Sequence, residues 1–351
     1  MSRLYTSTET DPFARGLAFG RTHAMRIAGT IKGYRAMWEA RRAGFDPAPA
    51  GLAALAATEG FAPHLAVEMR GMAEGAGIDV ALIGAINART EILGQLSVPT
   101  RGECSAVIAL PPEGPPVALQ TWDWFHRFAQ NWLVWEIPLA DGSVTKTMTE
   151  YGIVGKAGLN TRGLGVLFTI LHHEADGGEM GVPVHVAARA ALDLGENLHA
   201  AAELLARARV SASSSINLSA WDQGRSAAIT VELNPAGAGY VLPSRDGLLV
   251  HTNHFLDPRP AAFDTEPRVN PDTLLRHAML TRRLTGASSA GQVLDALNCH
   301  MGADSALCCH PLPGNPDDQY ATLATLRLDL AAGALHVHDG GPCTCAWNLT
   351  P

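Results

Sequence analysis

The organisation of this chain changes within one stretch, Arg101-Gly102-Glu103-Cys104-Ser105-Ala106-Val107-Ile108-Ala109-Leu110. A short polar run ends at Cys104, and an apolar run typical of a buried strand begins directly after it. Upstream, apolar residues recur at three- and four-residue spacings, which is typical of helices. On this stretch alone Cys104 fits two roles. It is either a small buried residue, as free cysteines commonly are, or a nucleophile that works with the nearby Asp123.

Composition narrows the class of protein. The 351 residues are 47% hydrophobic and 17% charged, enough to build a large core in one large domain or two ordinary ones. The net charge of −8, with no basic stripe, argues against a nucleic-acid partner. The N-terminus lacks the apolar segment of a secretory signal, and no long uncharged apolar run predicts a membrane span. We therefore expect a cytoplasmic protein whose six cysteines are reduced.

Predicted helices and strands fall into separate blocks. Residues 11–95 predict helices, with a loop at 44–51 and a last helix over 79–96. Two further pairs of helices are predicted at 183–208 and 270–299. The strand-like segments are 104–110, 117–122, 132–138, 144–149, 165–171, 214–218, 227–233, 239–243, 248–252, 320–328 and 334–337. Segregated blocks of this kind predict an α+β layered fold.

Six motifs carry a resemblance to a known family through their order and spacing. They are Glu103-Cys104-Ser105, Trp122-Asp123-Trp124-Phe125, residues 155–166, Ser213-Ser214-Ser215-Ile216-Asn217, His251-Thr252-Asn253-His254-Phe255 and Gly340-Gly341-Pro342-Cys343. On these motifs the chain resembles the peptidase C45 family, that of the fungal acyl-coenzyme A:6-aminopenicillanic acid acyltransferases. The family belongs to the N-terminal-nucleophile (Ntn) hydrolases.

The resemblance implies a four-layer αββα sandwich with a helical N-terminal segment. It also implies that the chain cuts itself between Glu103 and Cys104. A helical preregion, residues 1–103, and a catalytic domain, residues 104–351, would result and stay associated. The freed α-amino group has an intrinsic pKa of about 7.7–8.0. It can therefore accept the thiol proton, so that Cys104 supplies both nucleophile and base.

Two further catalytic residues are implied by the resemblance. Asp123 stands at the family's aspartate, which fixes the surroundings of the nucleophile, and the large aromatics around it predict a partly buried, hydrogen-bonded carboxylate. A turn-capping Asp123 is the alternative. Asn253 matches an asparagine whose side-chain N–H can donate to a developing oxyanion. Its alternative is an ordinary loop asparagine in a turn.

The predicted substrate pocket is apolar. Trp122, Trp124 and Phe125 are expected to be core residues first and pocket wall second, and with Trp221 they suggest an apolar or aromatic acyl group. Asn160 and Asn217 either line the pocket or cap turns.

One departure from the family concerns an arginine. The family commonly has Ser-Ile-Cys-Arg near the C-terminus, and this chain has Ala306-Leu307-Cys308-Cys309-His310. Cys309 therefore occupies the arginine position. The sequence thus predicts that the expected guanidinium is missing, which leaves the substrate class open.

Metal chemistry is the rival interpretation. His172, His173 and Glu174 are adjacent, and His251 and His254 add to the set, but none has the His-x3-His spacing of a zincin. The cysteines form no Cys-x2-Cys pair that would indicate a structural zinc. We therefore expect neither a metal nor another cofactor.

The sequence thus predicts a self-processing N-terminal-cysteine amidohydrolase that cleaves a linear amide of an N-acylated small molecule. Acyl transfer from a thioester such as acyl-CoA to an amine is the first alternative, because both reactions pass through an acyl-cysteine. An unprocessed, non-catalytic binding protein is the second. The partner is a small-molecule amide or thioester, with no nucleic acid or membrane, and a homo-oligomer stays open.

Overall fold

A computed structural model of the chain describes residues 3–96, 104–301, 307–311 and 319–347. Within these ranges the chain forms eleven α-helices and thirteen β-strands. The helices are α1 (Pro12–Arg41), α2 (Ala48–Phe61), α3 (Pro63–Ala76), α4 (Val80–Asn87), α5 (Arg89–Gln95), α6 (Val184–Leu194), α7 (Leu198–Ala206), α8 (Pro258–Ala261), α9 (Glu266–Val269), α10 (Asp272–Arg283) and α11 (Ala290–Leu297). The strands are β1 (Leu4–Thr6), β2 (Ser105–Ala109), β3 (Val117–Phe125), β4 (Trp132–Pro138), β5 (Val144–Glu150), β6 (Ala157–Asn160), β7 (Leu164–Ile170), β8 (Ser214–Asp222), β9 (Arg225–Leu233), β10 (Gly239–Val241), β11 (Leu248–His251), β12 (Tyr320–Asp329) and β13 (Ala334–Asp339).

The strands form two sheets that face each other. The larger sheet has the order β1-β4-β5-β6-β7-β8-β9-β10, and the smaller has the order β11-β2-β3-β12-β13. All neighbours are antiparallel except β1 and β4. Strand β7 lies against β2 and β3 across the interface. Here the buried amide of Gln120 donates to the carbonyl of Phe168 and accepts from its N–H.

Helices cover the outer face of each sheet. Helices α6 and α7 pack on the larger sheet, and α10 and α11 pack on the smaller one. The order helix, sheet, sheet, helix confirms the predicted α+β class and gives the four αββα layers. Residues of both sheets, among them Ala106, Ile108 and Leu167, form one buried apolar cluster between the facing surfaces.

The N-terminal helices form a block in which α1 packs closely against α3, and α2 against α4. Glycines make the first approach possible. A Cβ atom on Gly16 of α1 would lie 2.1 Å from the carbonyl oxygen of Glu68, and one on Gly71 of α3 would lie 2.2 Å from that of Phe13. Only glycine allows the two backbones to approach so closely.

Two predicted elements differ from the structure. The predicted loop over 44–51 is shorter, because Pro49 lies in the first turn of α2, where a missing N–H costs nothing. The predicted helix over 79–96 is broken into α4 and α5 near Ala88. There the Asn87 side chain donates to the carbonyl of Gly152 and accepts from Val154 N–H, which anchors the break to the strands.

None of the helices in the described ranges combines the length and apolarity that a membrane-spanning segment needs.

Candidate active site

Cys104 lies directly before β2, in the centre of the smaller sheet, and is 5% exposed. Pairing of β2 with β3 sets Ser105 opposite Thr121. This register brings the Cys104 sulfur beside the backbone of Asp123, whose N–H donates to Sγ at 3.4 Å. The thiol in turn points to the Asp123 carbonyl oxygen at 3.6 Å. The structure therefore brings together the first two predicted catalytic residues.

The thiol is held in its neutral form. Burial, and then the negative charge of Asp123, raise the pKa of Cys104 to about 12. The Asp123 N–H and the charges of Lys156 and Arg276 act in the opposite direction but are outweighed. The thiolate is the nucleophilic form of cysteine. In this structure Cys104 is therefore a weak nucleophile at neutral pH.

The Asp123 side chain is 1% exposed, which is deeper burial than predicted. Thr121 Oγ1 donates to its Oδ2 at 3.4 Å. On its other side β3 pairs with β12, where Thr322 lies opposite Asp123. The carboxylate thus sits in the centre of the smaller sheet, close to the nucleophile.

An arginine that the sequence analysis missed completes the site. Arg276, on α10, is fully buried and donates from one terminal nitrogen to the carbonyl oxygen of Cys104 and to Ser105 Oγ, both at 3.1 Å. Its other terminal nitrogen donates to Asn253 Oδ1 at 3.1 Å. Its Nε pairs with Asp272 one turn earlier. An Asp and an Arg four residues apart are typical of an exposed helix face, so this spacing does not indicate that Arg276 is buried.

Arg276 fixes the orientation of the predicted oxyanion donor. Because the guanidinium donates to Asn253 Oδ1, the amide nitrogen Nδ2 must face the other way. Nδ2 donates to the carbonyl oxygen of Ile170 at 2.9 Å, on β7 of the facing sheet. The Asn253 backbone N–H is held by Thr273 Oγ1. Asn253 is therefore buried and held in one orientation in the bend that follows β11, beside the residues that contact Cys104.

A second unpredicted group of polar and charged side chains interacts with Cys104 through Lys156. Tyr34, Arg89, Glu150 and Lys156, here called the Glu150 cluster, are all buried. Glu150 accepts from Lys156 Nζ at 2.7 Å, from Arg89 Nε at 3.1 Å and from the Tyr34 hydroxyl. The sequence showed Lys156 only as part of a glycine-rich motif, and nothing in the spacing linked it to Arg89 or Tyr34.

Lys156 is the titratable member of the Glu150 cluster. Burial is the main cause that lowers its pKa, and the charge of Arg89 adds to it against the pull of Glu150, so that the pKa falls to about 7. Its ammonium lies 3.9 Å from the ring centroid of Trp122, a cation–π contact. The same charge lowers the pKa of Cys104. Lys156 therefore couples the Glu150 cluster electrostatically to Cys104.

The predicted aromatic residues of β3 are core residues. Trp122, Trp124 and Phe125 are each less than 5% exposed. The Trp124 indole N–H donates to the Tyr34 hydroxyl at 3.0 Å, and Phe125 packs on Tyr320. The three side chains are therefore core residues, and they lie close to Cys104.

Asn160 and Asn217 are engaged within the sheet. Asn160 caps the β6–β7 turn, accepting from Leu164 N–H and donating to the carbonyl of Leu192. Asn217 accepts from Thr230 Oγ1 at 2.6 Å. Of the two alternatives for Asn160, the structure favours the turn cap.

The structure does not bring Trp221 to Cys104. In the β7–β8 pairing, Ile170 lies opposite Ser214 at the end that contacts Asn253, whereas Trp221 lies at the other end of β8. The two ends are about 20 Å apart at the rise of a strand. Trp221 lines a separate cavity of about 430 Å³ beside the β6–β7 turn. The prediction of Trp221 as a wall of the pocket around Cys104 is therefore wrong.

The histidines considered as metal ligands face different partners. His251 Nε2 contacts Glu232 at 2.8 Å, His172 contacts Glu266 at 3.5 Å, and His254 Nδ1 lies 3.0 Å from Thr273 Oγ1. They do not converge on one point.

Comparison with known proteins gives the family. A sequence model of the family described as acyl-coenzyme A:6-aminopenicillanic acid acyl-transferase matches residues 111–309, more than half of the chain. The chain belongs to this family. The matched region contains Asp123, Lys156, Asn253, Arg276 and Cys309. Cys104 lies before it in the sequence.

A curated relative is the 40 kDa form of acyl-coenzyme A:6-aminopenicillanic-acid-acyltransferase of Emericella nidulans. It is 30% identical over 225 residues, 64% of this chain. The matched part spans 60% of the relative's own length. Among solved structures, penicillin V acylase from Agrobacterium tumefaciens matches with a TM-score of 0.37 and 10% identity, covering 67% of this chain and 83% of that one. The fold assignment here depends instead on the layer order described above.

The predicted cut lies at the edge of the described residues. Glu103 falls outside them, and Cys104 is the first residue of the range 104–301.

Proposed function

We propose that this chain is a self-processing cysteine enzyme that transfers acyl groups through Cys104, with hydrolysis of a linear amide of an N-acylated small molecule as its main reaction. The observation that carries the proposal is the convergence on Cys104: the Asp123 N–H binds its sulfur, and Arg276 joins its carbonyl oxygen to Asn253. Three separate parts of the chain supply these contacts.

The first step is the cut. The Cys104 thiol adds to the carbonyl carbon of Glu103, and its proton passes to the Cys104 nitrogen as the peptide C–N bond breaks. This frees the α-amino group of Cys104 and leaves the residue 1–103 segment as a thioester on its sulfur. Water then hydrolyses this thioester, releasing a carboxylate at Glu103 and returning the free thiol of Cys104. Burial raises the Cys104 pKa to about 12 before this step, so the uncut chain holds little thiolate that could attack an external substrate.

The cut supplies the missing base. The new α-amino group has an intrinsic pKa of about 7.7–8.0 and sits on the same residue as the thiol. It takes the thiol proton as sulfur attacks the substrate carbonyl, and it gives that proton to the leaving amine. The acyl-cysteine then reacts with water. The buried carboxylate of Asp123 holds the α-ammonium form in place between these steps.

Asn253 stabilises the oxyanion of each tetrahedral intermediate. Its Nδ2 carries two hydrogens, of which one is donated to Ile170. The other is available for the oxyanion, and Arg276 prevents the amide from flipping. Loss of one such donor costs about 3–4 kcal/mol in other enzymes. We expect Asn253→Ala to lower kcat by at least a hundredfold, while a change confined to KM would instead assign Asn253 to substrate binding.

Acyl transfer to an amine is the second candidate. The curated relative from Emericella nidulans is named as an acyltransferase that uses acyl-coenzyme A. The same acyl-cysteine serves both reactions, and only the second nucleophile differs. With one acyl-thioester as donor, free acid as the product indicates hydrolysis, whereas an acylated amine formed from added 6-aminopenicillanic acid indicates transfer.

Intact-mass measurement tests the central proposal. Wild-type protein should yield two fragments, one starting at Cys104, and Cys104→Ala should remain full length and inactive. Cys299→Ser is the matched control, because it changes another partly buried cysteine away from the site, and it should be cut normally. Amidase activity that persists in Cys104→Ala would overturn the proposal.

A further inference from the structure

Four potential metal ligands meet near the C-terminal end of the described chain. His300 follows α11, Cys308 and His310 lie in the segment 307–311, and Cys343 lies in the 3-10 turn Pro342–Thr344 after β13. One ligand atom from each lies within 4.8 Å of all the others. Three segments that are separate in the sequence therefore bring two thiols and two imidazoles to a single point.

The distances between these atoms suit a tetrahedral ion. The two histidine Nε2 atoms are 3.1 Å apart, and His310 Nε2 lies 3.6 Å from Cys308 Sγ and 3.4 Å from Cys343 Sγ. With Zn–N bonds of about 2.0–2.1 Å and Zn–S bonds of about 2.3 Å, a tetrahedron separates two nitrogens by about 3.3 Å and nitrogen from sulfur by about 3.6 Å.

The backbone around the cluster is shaped to leave room for the sulfurs. A Cβ atom on Gly341 would lie 2.5 Å from Cys308 Sγ, so only glycine fits there. The segment 307–311 is tied on both sides: Cys308 N–H donates to the carbonyl of Cys299, and Thr322 N–H donates to that of Cys309. The positions of the ligands are therefore set by contacts other than their own.

We propose that His300, Cys308, His310 and Cys343 form a structural zinc site. Two thiolates and two imidazoles are a ligand set that zinc prefers, and four protein ligands leave no open position for substrate or water, which distinguishes a structural from a catalytic site. Our sequence-based expectation of no structural zinc considered pairs of cysteines within one segment, whereas these ligands come from three.

The site has a defined place beside the active centre. The backbone N–H of Cys309, the residue after Cys308, donates a hydrogen bond to Thr322 Oγ1. Thr322 lies opposite Asp123 in the β3–β12 pairing. Zinc therefore fixes the segment that carries Cys309 against the sheet that holds Asp123. In this chain a metal holds the segment in which the family's arginine would otherwise stand.

Metal analysis of the whole chain tests the proposal. Protein expressed with zinc in the medium and purified under reducing conditions without chelator should contain about one zinc per chain by mass spectrometry. The exposed ligands His300 and Cys343 allow variants with little effect on the core, and His300→Ala and Cys343→Ser should each lose most of the zinc. Cys345→Ser and His338→Ala are the matched controls, because both residues are neighbours outside the cluster, and both should keep it.

Thiol alkylation gives a second measurement that needs no variant. Bound zinc should protect Cys308 and Cys343 but not Cys345, and a chelator should remove this protection. Three results would overturn the proposal: wild-type protein that takes up no zinc from a zinc salt, controls that lose as much zinc as the ligand variants, or a Cys308–Cys343 disulfide in protein alkylated at lysis.

Discussion

Two buried ionic clusters join the N-terminal helices to the strands and to α6, and they differ in their balance of charge. The first, here called the Glu68 cluster, contains Arg15, Glu68, Arg189 and Asp193. Arg15 and Arg189 both pair with Glu68, at 2.6 and 3.2 Å, and Arg189 also pairs with Asp193 at 2.8 Å. The cluster thus contains two cations and two carboxylates, and His64 also contacts Asp193.

The Glu150 cluster has two cations on one carboxylate. Arg89 and Lys156 share Glu150, and the Tyr34 hydroxyl donates to it as well. Burial with a surplus positive charge brings the pKa of Lys156 to about 7, while Asp193 in the balanced cluster stays ionised far into acid. Perturbed titratable groups collect at functional sites. The Glu68 cluster, which is balanced in charge, therefore stabilises the fold. The unbalanced Glu150 cluster influences the pKa of Cys104.

The largest expected effect comes from breaking the balanced cluster. Arg189→Met leaves Glu68 and Asp193 buried with one cation fewer, and loss of one partner of a buried pair costs about 3–5 kcal/mol. Urea denaturation should show this loss in the free energy of unfolding. A loss below about 1 kcal/mol would mean that the Glu68 cluster does not hold the helices to α6.

Removal of Lys156 should affect reactivity more than stability. In Lys156→Met, Glu150 keeps Arg89 and Tyr34, so unfolding should change by less than in Arg189→Met. The thiolate of Cys104 loses a nearby positive charge, and a rise of one pKa unit lowers its alkylation rate about tenfold at neutral pH.

Lys146→Met is the matched control for this measurement, since Lys146 pairs with Glu136 on the partly exposed side of the same sheet. Its alkylation rate should equal that of wild type. Equal rates for Lys156→Met and wild type would contradict the coupling between the Glu150 cluster and Cys104.

The two clusters should respond at opposite ends of the pH range. The folded pKa of Lys156 lies below the ordinary 10.5, so the unfolded chain binds the extra proton between pH 7 and 10.5 and stability rises with pH there, by less than about 1.4 kcal/mol per pH unit. For Asp193, burial opposes ionisation, but Arg189 and His64 outweigh it and lower the pKa. Its contribution is therefore present above pH 4 and lost as the pH falls below that.

Unfolding measured from pH 3 to 10 checks both directions. Lys156→Met should flatten the alkaline rise, and Asp193→Asn should flatten the acid loss. A variant that flattens the opposite limb would show that the charge assignment of the two clusters is wrong.

The smallest effect is expected where an ion pair is exposed. Arg70 pairs with Glu59 at 2.8 Å on the surface of the N-terminal block. Arg70→Met should change the free energy of unfolding by less than about 1 kcal/mol. A larger loss would mean that ion pairs in this block stabilise the protein whether they are buried or exposed. The expected difference in unfolding free energy between Arg70→Met and Arg189→Met would then disappear.

Much of the fold could be predicted because it follows from local patterns. The spacing of apolar residues placed most helices and strands, and the motif order placed Cys104, Asp123 and Asn253 in one site. Arg276 and Lys156 could not be found this way. Each is an ordinary charged residue in its own segment, and only the packing of α10 and of the β5–β6 connection close to Cys104 buries it. Trp221 failed for a related reason, because a motif gives the strand but not which end of it faces the site.

The short strand β1 has a consequence for a chain cut before Cys104. Leu4 to Thr6 run parallel to β4 and supply the edge of the larger sheet, while Arg3 reaches across to Asp339 at 2.7 Å. In a chain cut there, as proposed, the N-terminal fragment would complement the other fragment by donating a strand. Without it the edge of β4 would be left open to pairing with other chains. The two fragments should therefore assemble when coexpressed, and the larger one made alone should aggregate.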